Sequence, residues 1–185
     1  MKSIFAFFLM VVVFGLAACS DQPIRKPDPT YETASANPFI PANYRAADSL
    51  LAQLKNHLSQ SQPMIVATMV NIDALEKSST LGRLVSEQVS ARFSQAGYSM
   101  VEMKFRNNIY IKQDQGELLL TREIKNVAQS HNAQAVIVGT YGESGDMVFI
   151  NLKVIQPATN VVLAVHDYAL PLDSNIRSML RQSIR

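Results

Sequence analysis

Two short apolar runs indicate the fold of this chain. Residues 64–72 (MIVATMVNI) and 135–141 (AVIVGTY) contain many β-branched side chains and almost no polar ones. A half-exposed strand would alternate apolar and polar residues, so these runs are typical of strands buried on both faces of a sheet. Such strands need helices packed on the sheet. We therefore expect an α/β fold of the α+β kind: a single small domain with a mixed sheet.

Helical periodicity predicts the elements that cover this sheet. Apolar residues recur at helical spacing over residues 44–58, 81–96 and 117–131. Gly97 stands where a left-handed residue would end the second helix. Residues 98–105 resume an extended pattern, so the order strand, helix, strand predicts a parallel crossover.

The C-terminal half predicts an antiparallel meander of three strands. Strands at residues 147–155 and 161–170 follow the run at 135–141, with turns at 142–146 and 157–160. Gly142 and Gly145 are free to adopt positive φ, and Asn160 tolerates the left-handed conformation. Pro171 ends the sheet, and Asp173 or Ser174 can cap a short C-terminal helix.

The first residues resemble a bacterial lipoprotein signal. Lys2 precedes an apolar run, and the cleavage region reads Leu16-Ala17-Ala18-Cys19, which is similar to a lipobox. The resemblance implies a diacylglyceryl thioether on Cys19, cleavage before it, and acylation of the freed amine. Ser20, rather than Asp, follows the cysteine, which by the bacterial sorting convention favours the outer membrane. An ordinary cleaved signal is the alternative.

Composition divides the chain and limits its function. Residues 1–18 are predicted to be the signal, 19–43 a lipidated, Pro-rich tether, 44–173 the αβ domain, and 174–185 a short basic helix or tail. Phe39 and Ile40 leave open an ordered part of the tether. The charges are 17 basic and 15 acidic, which argues against nucleic acid as a partner. Cys19 is the sole cysteine, so no disulfide is expected.

No arrangement of residues in the sequence predicts catalysis or a cofactor. The three histidines lie on separate elements without the spacing of a helical metal site. His166 and Asp167 are adjacent in a predicted strand, so their side chains should face opposite ways. The glycines from Gly139 to Gly145 have the wrong spacing for a phosphate loop. We expect a protein without enzymatic activity, metal or cofactor other than the lipid.

Charged residues on the predicted helices are the candidates for partner contacts. They are Arg83 and Glu87, Arg122 and Glu123, and the C-terminal Arg177, Arg181 and Arg185. The last three recur at helical spacing and predict one basic face. A frayed, solvated terminus is the alternative. Near the apolar stripe of the second helix, we expect Gln88 to bond a backbone group and Arg92 to cover the core edge.

The chain resembles the FlgO family of flagellum-associated outer-membrane lipoproteins over about residues 63–173. The resemblance is carried by residues 64–73, 78–79, 81–88, 92–98, 110–112, 116–117, 121–123, 135–141 and 166–172. Asn160 stands where family members usually have glycine. The tether and the arginine-bearing tail lie outside the match.

This resemblance implies a non-enzymatic lipoprotein on the periplasmic side of the outer membrane that supports flagellar assembly and motility. Protein partners in the envelope-spanning flagellar structure are expected, and a homo-oligomer stays open. The resemblance also suggests kinship with the modules of LpoB and CsgG. The alternative is thus a lipid-tethered module that regulates a cell-wall synthase or a secretion assembly, and a hydrolase is a third, weaker reading.

Overall fold

The computed structural model describes residues 28–101 and 122–181. The chain divides into one unit up to Ala36 and a second from Asn37 onward. The first contains α1 (Tyr31–Ser35), which begins with a capping box between Thr30 and Thr33. The helices of the second unit are α2 (Phe39–Leu54), α3 (Thr80–Gln95), α4 (Arg122–Ser130) and α5 (Ser174–Leu180).

One mixed sheet forms the centre of the second unit. Its strands are β1 (Met64–Val66), β2 (Val70–Asn71), β3 (Met100–Val101), β4 (Ala135–Ser144), β5 (Met147–Ile155) and β6 (Val162–Pro171). Their order is β3-β1-β4-β5-β6, and β2 also pairs with β4. The pairs involving β1, β2 and β3 are parallel, whereas β4, β5 and β6 form the antiparallel meander. The predicted mixed α/β fold is confirmed.

The two faces of the sheet are covered unequally by the described residues. One face packs against α2, α3 and α5 and includes the fully buried Leu50, Phe93 and Ile137. The other face carries a smaller cluster, in which Ile124 and Ala128 of α4 pack against Val136 and Val138. The helices therefore lie on both sides of β4, as its continuous apolar sequence predicted.

The predicted strand over residues 64–72 is interrupted. β1 ends at Val66 and β2 begins at Val70, with residues 67–69 between them. The buried Ser86 hydroxyl of α3 lies at this gap, where it accepts a hydrogen bond from the Met69 amide (2.9 Å). Its single proton lies nearer the Gly82 carbonyl oxygen of α3 (2.8 Å) than the Ala67 carbonyl oxygen (3.2 Å). The Ser78 hydroxyl donates to the Met69 carbonyl at 2.7 Å. Two serine side chains thus satisfy the Met69 amide and carbonyl in the gap between the two strands.

The first long helix begins earlier than predicted. α2 begins at Phe39, not at residue 44, so the predicted start of this helix is wrong. The Asn37 side chain accepts a hydrogen bond from the Phe39 amide at 2.9 Å. Pro41 lies in the first turn, where a missing amide hydrogen breaks no intrahelical bond. Phe39 is 7% exposed, which confirms that this part of the tether is ordered.

Most of the other predicted ends of helices and strands agree with the structure. Ser79 caps α3, and Gly97 follows it with φ of +89°. Asn160 has φ of +61° and Gly145 has φ of +60°, whereas Gly142 remains in β4. The first hairpin turn is therefore tighter than predicted. Asp173 caps α5 by accepting a hydrogen bond from the Ile176 amide at 2.8 Å.

Several predicted segments extend outside the described residues. The described part of the strand predicted at residues 98–105 is β3, and the helix predicted at 117–131 is described from Arg122. The signal segment and the last four residues also lie outside. Among the described residues, no helix is long and apolar enough to cross a membrane.

Candidate functional site

The candidate site lies on the sheet face that α4 covers only in part. α4 packs near the beginning of β4, around Val136 and Val138. Farther along the sheet, Phe149 of β5 is 54% exposed and Ile72, directly after β2, is 57% exposed. Large apolar side chains are thus accessible on a sheet face, which is typical of a contact surface.

An open pocket of about 650 Å³ occupies this part of the face. We call it the acidic pocket. Strands β4, β5 and β6 and the end of β2 form it. It is lined by Ile72, Asp73, Thr140, Gly142, Glu143, Ser144, Phe149, Ile150, Asn151, Asp167, Tyr168 and Ala169. Its volume falls in the range of ligand-binding clefts.

A row of three polar residues crosses the pocket. Thr140 on β4 is in register with Asn151 on β5, and Asn151 is in register with Asp167 on β6. The Asn151 Nδ2 group donates to Asp167 Oδ1 at 2.6 Å. The Asn151 Oδ1 atom is buried and has no partner in the described structure. The row therefore presents hydrogen-bonding capacity that the protein does not use internally.

The charge of the pocket has one sign. Asp73, Glu143 and Asp167 contribute three carboxylates, and none of the lining residues is a lysine, arginine or histidine. No group of three or more His, Cys, Asp or Glu within residues 28–101 and 122–181 is placed to hold a metal ion. The charge of the pocket is thus complementary to that of a cation.

The opposite face of the same strands contains a different polar group. Tyr168 donates its hydroxyl to Asn43 Oδ1 on α2, and Asn43 Nδ2 donates to Gln88 Oε1 on α3 at 2.6 Å. Asn43 is fully buried, and burial raises the pKa of the Tyr168 hydroxyl. This chain of hydrogen bonds connects two helices and the sheet. Gln88 bonds a side chain, so the prediction of a backbone partner is wrong.

The adjacent His166 and Asp167 face opposite sides of the sheet, as predicted. His166 stacks on Tyr168 with ring centroids 6.0 Å apart, whereas Asp167 bonds Asn151 in the pocket. Such a pair cannot exchange a proton directly.

The predicted contact residues on α3 lie outside the pocket. Arg83 and Glu87 are exposed, and the Arg83 guanidinium donates to the Thr80 hydroxyl at 3.1 Å. No ion pair joins Arg83 to Glu87 in the described structure. Arg92 instead makes two hydrogen bonds to the Asp48 carboxylate, at 2.7 and 3.1 Å, and lies over the Tyr44 ring. Arg92 therefore joins α3 to α2 at the surface.

The other predicted contact residues are described only in part. Arg122 and Glu123 begin the described part of α4. Arg177 and Arg181 are exposed, but α5 ends at Leu180 and Arg181 is extended, so the prediction of a helical basic face running through Arg181 is wrong. Cys19 and Arg185 lie outside the described residues.

The acidic pocket was not predicted from sequence. Its signal was present as polar residues at strand positions facing away from the main core, Thr140, Asn151 and Asp167. Their alignment depends on strand register, which the local pattern does not specify.

The C-terminal arginines give one prediction about partners. Replacing Arg177, Arg181 and Arg185 together with glutamine is expected to reduce recovery of bound proteins in pull-downs, because it removes three positive charges from one terminus. Arg45, Lys55 and Lys77 are exposed elsewhere, and their triple glutamine variant is the matched control. If both variants recover equal amounts of bound protein, the C-terminal tail is a solvated terminus and not a contact surface.

Comparison with known protein families decides the classification. The model of the FlgO family, described as FlgO protein, matches residues 44–175. The chain belongs to the FlgO family. The match extends from within α2 into α5 and includes the strands that form the acidic pocket. None of the curated proteins compared with this FlgO family member matches it significantly.

Two solved structures are similar to this chain at low sequence identity. The LpoB C-terminal domain from Escherichia coli is 11% identical, with a TM-score of 0.51, over 72% of this chain and 98% of that one. The LpoB C-terminal domain from Salmonella enterica is 12% identical, with a TM-score of 0.47, over 68% of this chain and 95% of that one. The first of these likenesses shows a shared fold.

Proposed function

We propose that this FlgO family protein is a non-enzymatic lipoprotein on the periplasmic side of the outer membrane. In this proposal it supports flagellar assembly and motility through contacts with other proteins. The observation that carries the proposal is the family match over residues 44–175. The exposed apolar residues beside the acidic pocket support a role in binding.

The lipid anchor is the second part of the proposal. Cys19 follows Leu16-Ala17-Ala18 and precedes Ser20, which is the pattern of an acylated cysteine sorted to the outer membrane. Two or three acyl chains would hold the protein stably, whereas one gives only marginal binding. The anchor would keep the folded unit close to the flagellar structure where that structure crosses the membrane.

A lipid-tethered regulator of a cell-wall synthase or of a secretion assembly is the alternative. The observation that favours it is the fold shared with the LpoB C-terminal domain from Escherichia coli. A deletion strain separates the two proposals. Loss of swimming with an intact wall supports the flagellar role, whereas normal swimming with wall or secretion defects supports the alternative.

Cys19→Ser tests the anchored flagellar role. The variant lacks the acylated sulfur, so we expect it to leave the membrane fraction and the cells to lose most of their swimming, measured in soft agar and by tracking. Ser20→Asp is the matched variant, because it retains the cysteine and is expected to redirect the lipoprotein to the inner membrane. If Cys19→Ser is released yet the cells swim normally, the proposed function is wrong.

A further inference from the structure

The acidic pocket contains acceptors that no described residue satisfies. The Asn151 amide uses its NH₂ group on Asp167, which leaves the buried Asn151 Oδ1 without a donor. Asp167 accepts this bond at one oxygen, and its second oxygen has no partner in the described structure. Thr140 is 4% exposed, lines the pocket, and its hydroxyl makes no hydrogen bond to a described residue. Thr140 and Asp167 border the open pocket, whereas the Asn151 Oδ1 atom has almost no accessible surface and must turn outward to meet an external donor.

We propose that the acidic pocket binds the guanidinium group of an arginine side chain presented by a protein partner. The proposal rests on the proposed function, in which the protein acts through protein contacts, and it identifies the chemistry of that contact. A guanidinium has five donors in one plane and no acceptor. It can therefore bond the free oxygen of the exposed Asp167 and, once the Asn151 side chain turns outward, the Asn151 carbonyl oxygen as well.

Charge complementarity favours a cation in this position. The pocket has carboxylates from Asp73, Glu143 and Asp167 and no basic residue among its lining residues. A metal ion fits less well, since the described residues offer no cluster of three ligands. An arginine also carries its charge at every physiological pH, so the attraction does not depend on protonation.

The apolar walls favour a protein side chain over a small free amine. Phe149 and Ile72 are more than half exposed and flank the polar row. A guanidinium stacks on an aromatic ring, and its aliphatic stem packs on apolar surface. An arginine beside apolar residues of a partner would use both parts of the pocket.

The neighbouring edge of the sheet is less suited to pairing with a partner strand. The Gln53 side chain of α2 donates to the Val165 carbonyl at 3.0 Å and accepts from the Val165 amide at 3.2 Å. A side chain therefore already occupies backbone groups on edge strand β6, and such cover protects an edge from strand addition. Binding of an arginine side chain in the pocket is therefore better supported than addition of a partner strand at this edge.

The direct test is a titration of the full-length lipidated chain in detergent micelles, followed by NMR. The probe is N-acetyl-L-arginine amide, and the control probe is N-acetyl-L-citrulline amide, which is similar in shape but uncharged. We expect the arginine probe to shift the resonances of Thr140 and of the Asn151 side chain, with a dissociation constant on the order of 1 mM, as for a single weak anchor. The citrulline probe should leave them in place.

Two variants make the titration specific. Asp167→Asn keeps the shape of the side chain and removes its charge, so we expect arginine binding to weaken roughly threefold to tenfold. Asp146→Asn removes the same charge from an exposed turn residue that does not line the pocket, and should bind as the original chain does. Absence of shifts, equal shifts with both probes, or unchanged binding by Asp167→Asn would overturn the proposal.

Crosslinking identifies the source of the arginine. With p-benzoylphenylalanine in place of Phe149, we expect crosslinked peptides from another protein with an arginine within about three residues of the link, a spacing comparable to one helical turn. Peptides without arginine, or no protein crosslink at all, would overturn the protein-partner proposal.

Two other occupants of the acidic pocket would each refute the proposal that a partner's arginine binds there. One is the chain's own residues 102–121, in which case the probe would bind only after Lys104, Arg106 and Lys112 are replaced with glutamine. The other is a second copy, in which case the pocket resonances would shift with protein concentration alone. The titration does not depend on swimming, so its failure and that of the Cys19→Ser experiment are separable.

Discussion

Gly82→Ala is expected to lower the free energy of unfolding by about 2 kcal/mol, even though alanine is the better helix former. A β-carbon at this position of α3 would lie 2.3 Å from the Met69 carbonyl oxygen and 2.7 Å from the Ser78 hydroxyl. Alanine in place of glycine would contribute about 1 kcal/mol in a free helix. Overpacking against backbone costs about 1–3 kcal/mol, at the upper end where the neighbour cannot move.

Urea unfolding followed by circular dichroism measures this effect. Gly142→Ala is the matched control, because its β-carbon would meet only the Ile72 side chain, at 2.8 Å, which is exposed and can move. We expect that control to lose less than about 1 kcal/mol. A gain in stability for Gly82→Ala would show that α3 does not need its close approach to the strand.

The break between β1 and β2, which α3 approaches closely, was the part of the main core that the sequence could not predict. Each residue from 64 to 72 fits a buried strand, so the local pattern predicted one uninterrupted element. The interruption depends on Ser86 of α3 and on Ser78 of the loop before it, which bond the backbone amide and carbonyl of Met69. Both serines also fit an ordinary helix and its cap. The long-range contact, not local propensity, sets the break.

The prolines at the start of α2 misled the prediction for a different reason. Pro38 and Pro41 end a proline-rich segment that begins at Ser20 and contains many Asp, Thr, Ser and Asn residues, a composition typical of a tether. Proline is also compatible with a first helical turn, and the burial of Phe39 decides between the two readings. Strand and helix types elsewhere followed from the sequence pattern, because most elements bury a single face whereas β1 and β4 bury both faces.

For the candidate site, the sequence could identify the residues that face away from the main core, but not which of them lie side by side. The alternation of β5 and β6 identifies Asn151 and Asp167 as residues on the face opposite the main core. Their alignment with Thr140 follows from the two hairpin turns, of which the first was predicted too wide. The register therefore brings together three residues that look unrelated along the chain.

Asn43→Ala is expected to lower the free energy of unfolding by about 3 kcal/mol. The fully buried Asn43 accepts from the Tyr168 hydroxyl and donates to Gln88 Oε1, so its removal leaves two partly buried polar groups without their partner. Each unsatisfied buried group costs about 1–3 kcal/mol.

Tyr168→Phe removes one of these two groups, the hydroxyl. Urea unfolding of the single and double variants measures the coupling between Asn43 and Tyr168. We expect Asn43→Ala with Tyr168→Phe to lose about 1 kcal/mol less than the sum of the single losses, because phenylalanine leaves no hydroxyl without a partner. Additive losses would mean that the hydrogen bond from Tyr168 does not join α2 to the sheet.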